Sequence, residues 1–306
     1  MGGGDRQCHN SALPRAASGL VRRDARWLHL PVLFSVVTLM SDVLTHDAPL
    51  ETLLMSLAER LERDGYLLAP AGEITPVFRG WCADSDHRTQ DADALARYWN
   101  ELAPDRFMGD GGRYRRRRHA VFSAASGAHA LVRKPHQAHF QTTNFNRLNG
   151  GIERHFEPVE DGALKTHTFT FLCELTLGVF GRCAPGADWH VEMHQFRIEV
   201  GGEIAAGLPT PEGLHRDGVD FVAMVMIHRD NVCGGVSHIH DLARSPLAEF
   251  TLAERLDMAL VDDTRVLHGV TPIVAADPER VGTRDLLVLT FKRQTSDHVF
   301  GGASDV

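Results

Sequence analysis

The sequence predicts an α+β protein, on three observations. Apolar residues repeat at helical spacing early in the chain. Short β-branched and aromatic segments, punctuated by Gly, Pro, Asp and Asn, dominate from about residue 117. No Pro/Gly-rich linker separates the two parts, so the helices are expected to pack on a β-sandwich or barrel within one domain.

The elements follow in chain order. Leu50, Leu53, Leu54, Leu57 and Leu61 mark an amphipathic helix, with Pro49 near its first turn and Gly65 just beyond its end. Leu95, Tyr98, Trp99 and Leu102 predict a second helix, stopped by Pro104. Strands are expected over 167–177, 190–200, 219–228, 235–240, 257–262 and 285–292. Thr251 and Glu254 have capping-box spacing and predict a short helix at 251–256. Gly234 and Gly235 predict a tight turn.

Residues 1–47 are set apart as a leader, disordered or belonging to a start assigned too early, with Met40 as the alternative start. Basic residues precede the apolar run 28–40, as in a targeting segment, but no small-x-small site follows it. Residues 48–300 are read as the functional domain.

Composition narrows the function. Of 306 residues, 43 % are hydrophobic and 24 % charged, which is ordinary globular usage and argues against a disordered chain. The net charge of −8 gives no field that would draw nucleic acid or an anionic membrane. No apolar run reaches the ~18 residues of a membrane span. Five cysteines (Cys8, Cys82, Cys173, Cys183, Cys233) are scattered without a CxxC pair, so free thiols and a cytoplasmic location are expected. Homo-oligomerisation is left open by the sequence.

Metal chemistry is the strongest local signal. His215 and Asp217 lie between a Pro/Gly-rich loop and an apolar strand, and His268 sits between a strand and a Gly. Two imidazoles and one carboxylate can hold one face of an octahedral ion, the arrangement of non-haem Fe(II) oxygenases. Eighteen histidines also produce rival pairs: His155/Glu157, His190/Glu192 and His228/Asp230. The last precedes His268 by a suitable distance but sits where its strand runs out, before Asn231 and the Gly-Gly turn. His238 and His240 share a strand face without a third ligand.

Arg284 opens RDLLVLTFKR, a segment apolar on both faces and therefore read as a doubly buried strand. A buried guanidinium needs an anion. A dicarboxylate co-substrate would supply one; Asp285 or Asp263 is the structural alternative, and Arg280 the rival anchor. Arg197 could line a pocket or be an ordinary surface residue. Arg113 and Arg115–Arg118 form a basic cluster. It is read first as a solvated strand face, second as a contributor to carboxylate binding.

Several ordered segments resemble the bacterial 2OG-Fe dioxygenase family, which includes amino-acid hydroxylases such as L-isoleucine dioxygenase. They are PEGLHRDGVDFVAMVMIHRDNVCGG, LVDDTRVLHGVTPI and RDLLVLTF, together with YRRRRHAVF (114–122), FNRLNGGIERHFEPVE (145–160) and HQFRIEV (194–200). The resemblance covers roughly residues 50–293. It implies a double-stranded β-helix (jelly-roll) core with the N-terminal helices packed against it. It further implies Fe(II) held by His215, Asp217 and His268, and 2-oxoglutarate anchored by Arg284, with Arg197 as a secondary candidate. A small-molecule substrate, a free L-amino acid, would then be hydroxylated with O2, releasing succinate and CO2. The other readings are a cupin-type metalloenzyme working without 2-oxoglutarate and a non-catalytic binding protein with a degenerate site.

Overall fold

Alternation in two long strands sets the architecture. A computed structural model describes residues 48–82 and 88–294, and the leader expected over 1–47 lies outside them. Strand β13 (Gly282–Arg293) turns Leu287, Leu289 and Phe291 to one side and Leu286, Val288 and Thr290 to the other. It pairs antiparallel with β5 (Trp189–Val200) and β6 (Phe221–Asp230). Burial on both faces places it at the centre of the sheet, as its sequence predicts.

The remaining strands are β1 (Tyr66–Ala69), β2 (Arg115–Ala124), β3 (Val132–Arg133), β4 (Glu157–Pro158), β7 (Val232–Gly234), β8 (Ser237–Asp241), β9 (Pro246–Phe250), β10 (Met258–Asp262), β11 (Val266–Val270) and β12 (Ile273–Ala275). An eight-stranded sheet runs β1-β10-β6-β13-β5-β2-β3, with β4 added beside β2. A smaller sheet, β11-β8-β9, and a ribbon, β12-β7, complete the jelly roll.

The helices lie on one face of the large sheet. Helix α1 (Ala48–Asp64) buries Leu50, Leu53, Leu54, Leu57 and Leu61, the predicted stripe. Gly65, at φ 78°, closes it by donating its N–H to the Leu61 carbonyl at 2.8 Å. Helix α2 (Ala71–Trp81) contains Pro76, which masks it in the sequence. Helix α3 (Arg88–Arg97) begins earlier than expected. Tyr98, Trp99 and Asn100 continue it only as tight turns with i−3 hydrogen bonds, so Trp99 is buried beyond the helix end.

The strand expected over 167–177 is instead part of α5 (His167–Cys183), which follows the single turn α4 (Asp161–Leu164). The Thr166 hydroxyl caps α5 by accepting from the Phe169 N–H at 3.3 Å. The helix is buried almost all round, from Thr168 and Phe169 to Val179 and Phe180, so it shows no one-sided period to read. The helix expected over 251–256 is also corrected: the segment is a turn. The Asp257 carboxylate, not Thr251, accepts the Ala253 and Glu254 N–H groups, each at 2.8 Å. Leu256 stands at φ 72° and ends any helical path.

Two cores result. Leu57, Phe171, Leu175 and Phe180 pack on Val191, Val225, Leu289 and Phe291 on the helix side. On the opposite face Val222, Met224, Leu286 and Val288 meet Ile239, Leu252 and Val266. This second core is shallower and opens into a cavity. Cys173 and Cys183 are free thiols as expected. Cys233, half-buried on the β7 ribbon, is disulfide-bonded, which corrects the thiol expected there. No helix among the described residues is long and apolar enough to cross a membrane.

Candidate active site

Backbone pairing brings the first two histidines together. His268 lies on β11, and His215 on the loop entering β6. Each donates its N–H to the other's carbonyl at 3.0 Å, and their rings stand 4.4 Å apart. The loop is then bent so that Asp217 turns inward. The Asp263 carboxylate accepts the N–H groups of Asp217 (2.9 Å), Gly218 (2.8 Å) and Val219 (3.2 Å). Gly218 is required there: its φ is 82°, and a Cβ would lie 2.5 Å from the Phe145 ring.

His215 Nε2 lies 3.6 Å from Asp217 Oδ1, and His268 Nε2 lies 3.6 Å from Asp217 Oδ2. The three ligand atoms all fall within 4.8 Å of one another. Donors on one face of an octahedral ion at ~2.1 Å stand roughly 3 Å apart, so a small contraction would close the set. The tautomers fit as well. His215 Nδ1 lies 3.0 Å from the Gly213 carbonyl, which calls for the proton on Nδ1 and leaves Nε2 a lone pair. His268 Nδ1 is buried without a hydrogen-bond partner, 3.9 Å from Asp263 Oδ1, the carboxylate best placed to receive its proton. The residues present therefore fit a divalent cation.

The electrostatics put a proton where the metal would bind. Burial opposes ionisation of Asp217, but the neighbouring imidazoles of His215 and His268 hold it below the usual carboxylate range. Burial also opposes the charging of His215, yet Asp217 and Glu212 outweigh it and raise the imidazole to about 9. His268 is pushed down to about 4 by burial and then by His215. Asp263 is raised to about 7 by burial and by Asp217. Glu212, which the sequence did not single out, has Oε1 3.7 Å from His215 Nε2.

Arg284 is 3 % exposed on β13 and makes no hydrogen bond or ion pair among the described residues. Burial and then the charge of Arg229 lower it to about 10. Both carboxylates considered as its structural partners are engaged elsewhere. Asp285 takes Arg197 through two hydrogen bonds of 2.7 Å, and Asp263 holds the loop N–H groups. Arg197 therefore does not line the cavity, which corrects the secondary co-substrate role expected for it. Arg280 is exposed and pairs with Asp230 at 3.2 Å.

Of the rival pairs only His190/Glu192 borders the cavity, with His190 Nε2 3.4 Å from Glu192 Oε1. His228 and Asp230 are exposed at the end of β6. His155 is exposed beside Glu153, His238 lies 3.5 Å from Glu249, and His240 Nδ1 lies 2.9 Å from the Arg244 carbonyl.

The basic cluster is not a solvated face. Strand alternation turns Arg115 and Arg117 into the cavity, while Arg116 and Arg118 face outward to Glu199 and Glu160. A second group missed in the sequence, His119, His139, Glu192 and His194, gathers nearby. Register across β2 and β5 sets His119 opposite His194, with their rings stacked 4.9 Å apart. The signal available was alternation in two strands, but it needed the pairing to be known.

Both groups border one cavity of about 650 Å³, the size of small-molecule sites. Phe196, Met224, Leu286 and Val288 floor it, and Phe140 and Phe145 on loops help enclose it.

The sequence pattern of the 2OG-Fe dioxygenase family matches residues 96–290. The chain belongs to that family, which uses Fe(II) and 2-oxoglutarate. Among solved structures it is similar to a BsmA homologue from Methylobium petroleophilum PM1, at 36 % identity and TM-score 0.68, covering 78 % of this chain and 92 % of that one. IDO from Bacillus thuringiensis shares the fold at 17 % identity and TM-score 0.65, covering 79 % of this chain and 100 % of that one. Among curated proteins, 3(1)-hydroxy-L-isoleucine 4-dioxygenase of Pantoea ananatis (strain AJ13355) is 27 % identical over 157 residues. That match covers 50 % of this chain and 63 % of the relative, so the chain spans under two thirds of that protein's length.

Proposed function

We propose that the protein is an Fe(II)- and 2-oxoglutarate-dependent dioxygenase that hydroxylates a small molecule, a free L-amino acid. One observation carries this reading. The His215/Asp217/His268 group and an unpaired, buried Arg284 border the same cavity. A metalloenzyme working without a dicarboxylate would leave that guanidinium buried without an anion. The amino-acid substrate is supported by the likeness to the isoleucine-derivative dioxygenase. The free thiols Cys173 and Cys183 support a cytoplasmic location, and the bonded Cys233 speaks against it.

His215, Asp217 and His268 would hold the metal through Nε2, a carboxylate oxygen and Nε2. Asp263 keeps Asp217 aimed inward through the loop N–H groups. Arg284 would grip the distal carboxylate of 2-oxoglutarate with two parallel hydrogen bonds, fixing its orientation. Leu286, Val288 and Met224 exclude water from the floor of the site. When bound, iron and 2-oxoglutarate supply the oxidising chemistry, taking O2, 2-oxoglutarate and a substrate C–H to succinate, CO2 and C–OH. No protein nucleophile is needed.

The test is an anaerobic titration with Fe(II) and 2-oxoglutarate. A weak visible charge-transfer band is expected only with both present, followed by succinate when air is admitted. His215→Ala and Asp217→Ala should abolish both, and His228→Ala should keep both. A normal band and turnover in either ligand variant would remove the assignment.

A further inference from the structure

Among the described residues, Arg117 and Arg154 are the two buried cations of the cavity, besides Arg284, that have no carboxylate partner. Arg115 has one, since its Nε donates to Asp105 at 2.8 Å. Arg154 is 1 % exposed, and its only side-chain bond is to an amide, the Gln141 Oε1 at 2.9 Å. Arg117 is 4 % exposed, and its only side-chain bond is to His194 Nδ1 at 2.9 Å. The Nε of each is buried without a partner. Burial, and then the charge of Arg115, pushes both below the ordinary guanidinium range. Phe156 and Phe196 clamp Arg117, 3.9 and 4.6 Å from its centre, so its edge is held still.

The neighbouring histidines read as a second metal site at first sight, but the hydrogen bonds decide otherwise. Arginine can only donate, so His194 Nδ1 accepts and its proton sits on Nε2, which then has no lone pair for a metal. His119 Nε2, at 3.0 Å, and His139 Nδ1 both meet the same Glu192 oxygen, Oε2, and each donates to it. Glu192 is thus an anion held in place, and its Oε1 has only His190 Nε2 at 3.4 Å. A carboxylate has about four acceptor sites, so Oε1 keeps room for a cation. The site thus offers two guanidiniums and one carboxylate on the wall of one cavity. Gln141 ties it to the metal group, bonding Arg154 through Oε1 while its Nε2 lies 3.2 Å from the Asp217 carbonyl.

We propose that Arg117 and Arg154 bind the α-carboxylate of the substrate and Glu192 its α-ammonium, so that this corner of the cavity selects free α-amino acids. The assignment rests on the proposed oxygenase function and adds the residues that read the substrate's head group. The side chain of the bound amino acid then extends along the apolar floor, past Phe196 and Met224, toward the metal group.

Calorimetric titration of the full chain, loaded with Mn(II) and 2-oxoglutarate, tests this against each of the twenty free L-amino acids. Every binder is then compared with its carboxamide and its N-acetyl derivative. Each derivative should bind about 100-fold more weakly, the loss typical when one partner of a buried charge pair is removed. Arg117→Gln and Arg154→Gln should show the same loss for the amino acid, while their affinity for 2-oxoglutarate alone moves less than about threefold. If neither variant folds, the derivatives on the unaltered protein decide. The Fe(II)/2-oxoglutarate band separates the two levels. Without the band, the oxygenase reading fails. With the band, this inference alone is overturned if no amino acid binds, if carboxamides bind as tightly as acids, or if the folded variants bind normally.

Discussion

Burial holds the three imidazoles around Glu192 in their neutral form, and this makes the cavity corner sensitive to acid. Burial lowers His139 to about 4 against the pull of its Glu192 hydrogen bond, and the charge of Arg117 adds to the depression. Burial likewise lowers His119 and His194. An imidazole depressed in the folded state takes up protons more readily when unfolded. Its stability contribution is therefore complete above about pH 6.5 and is lost as the pH falls through the folded value. For His139 alone, about 2 kcal/mol should be gone at pH 5 relative to pH 7. Urea unfolding of the metal-free protein at the two pH values measures it, and 15N-histidine NMR should show His139 still neutral at pH 5. Equal stability at both values would mean that the imidazoles titrate in the fold as they do in the unfolded chain.

At the scale of elements, the β7–β12 ribbon depends on one residue. Gly234 pairs with Ile273 at φ 78°, and a Cβ there would lie 2.1 Å from the Pro272 carbonyl oxygen. Backbone cannot swing aside as a side-chain end can, so Gly234→Ala should cost about 2 kcal/mol or more. Gly127→Ala is the control. Its φ is 73° with nothing within 4 Å, so it carries the backbone strain of about 1 kcal/mol without the clash. Thermal unfolding should place Gly234→Ala several degrees below Gly127→Ala, and equal midpoints would show that the ribbon yields. What could be read from sequence divides along the same physical line. Strands β5, β6, β8, β10 and β13 were legible because each carries β-branched or aromatic residues and is bounded by turn residues. Helix α5 was not, because burial on nearly every side erases the 3.6-residue period and leaves a Phe/Thr-rich run that looks like a strand. His215, Asp217 and Arg284 were legible because each is marked by its immediate neighbours. The His119/His139/Glu192/His194 group was not, because His119 and His194 meet only through cross-strand register and His139 arrives on a loop. The Arg115–Arg118 run was misjudged for the same reason: alternation alone does not say which face is the inside.

Over the whole molecule, apolar packing and chemistry occupy opposite faces of the large sheet. The helix side is an apolar core that includes Leu57, Phe171, Phe180, Leu289 and Phe291. The cavity side carries Arg117, Arg154, Arg284, Asp217 and Asp263 with their charges only partly matched. Groups buried without partners cost stability that a ligand of opposite charge restores. The domain should therefore be stable but improvable, with the improvement coming from the cavity alone. A ligand at a hundred times its Kd adds about 2.7 kcal/mol. For a unit of this size that is a rise in Tm of roughly 5–10 °C. We propose residues 48–300 as the responding unit, so a chain begun at residue 48 should give the same rise. Mn(II) and 2-oxoglutarate, added singly and together in a thermal scan, resolve the two contributions. Arg284→Ala should keep the metal rise and lose most of the increment from 2-oxoglutarate, because Arg284 lines the cavity but is not one of the metal-holding residues. Gly127→Ala should rise by the full amount, because a Cβ there meets nothing within 4 Å and the residue does not line the cavity. An increment from 2-oxoglutarate unchanged in Arg284→Ala would take Arg284 out of the co-substrate site and leave its burial without an anion to explain it.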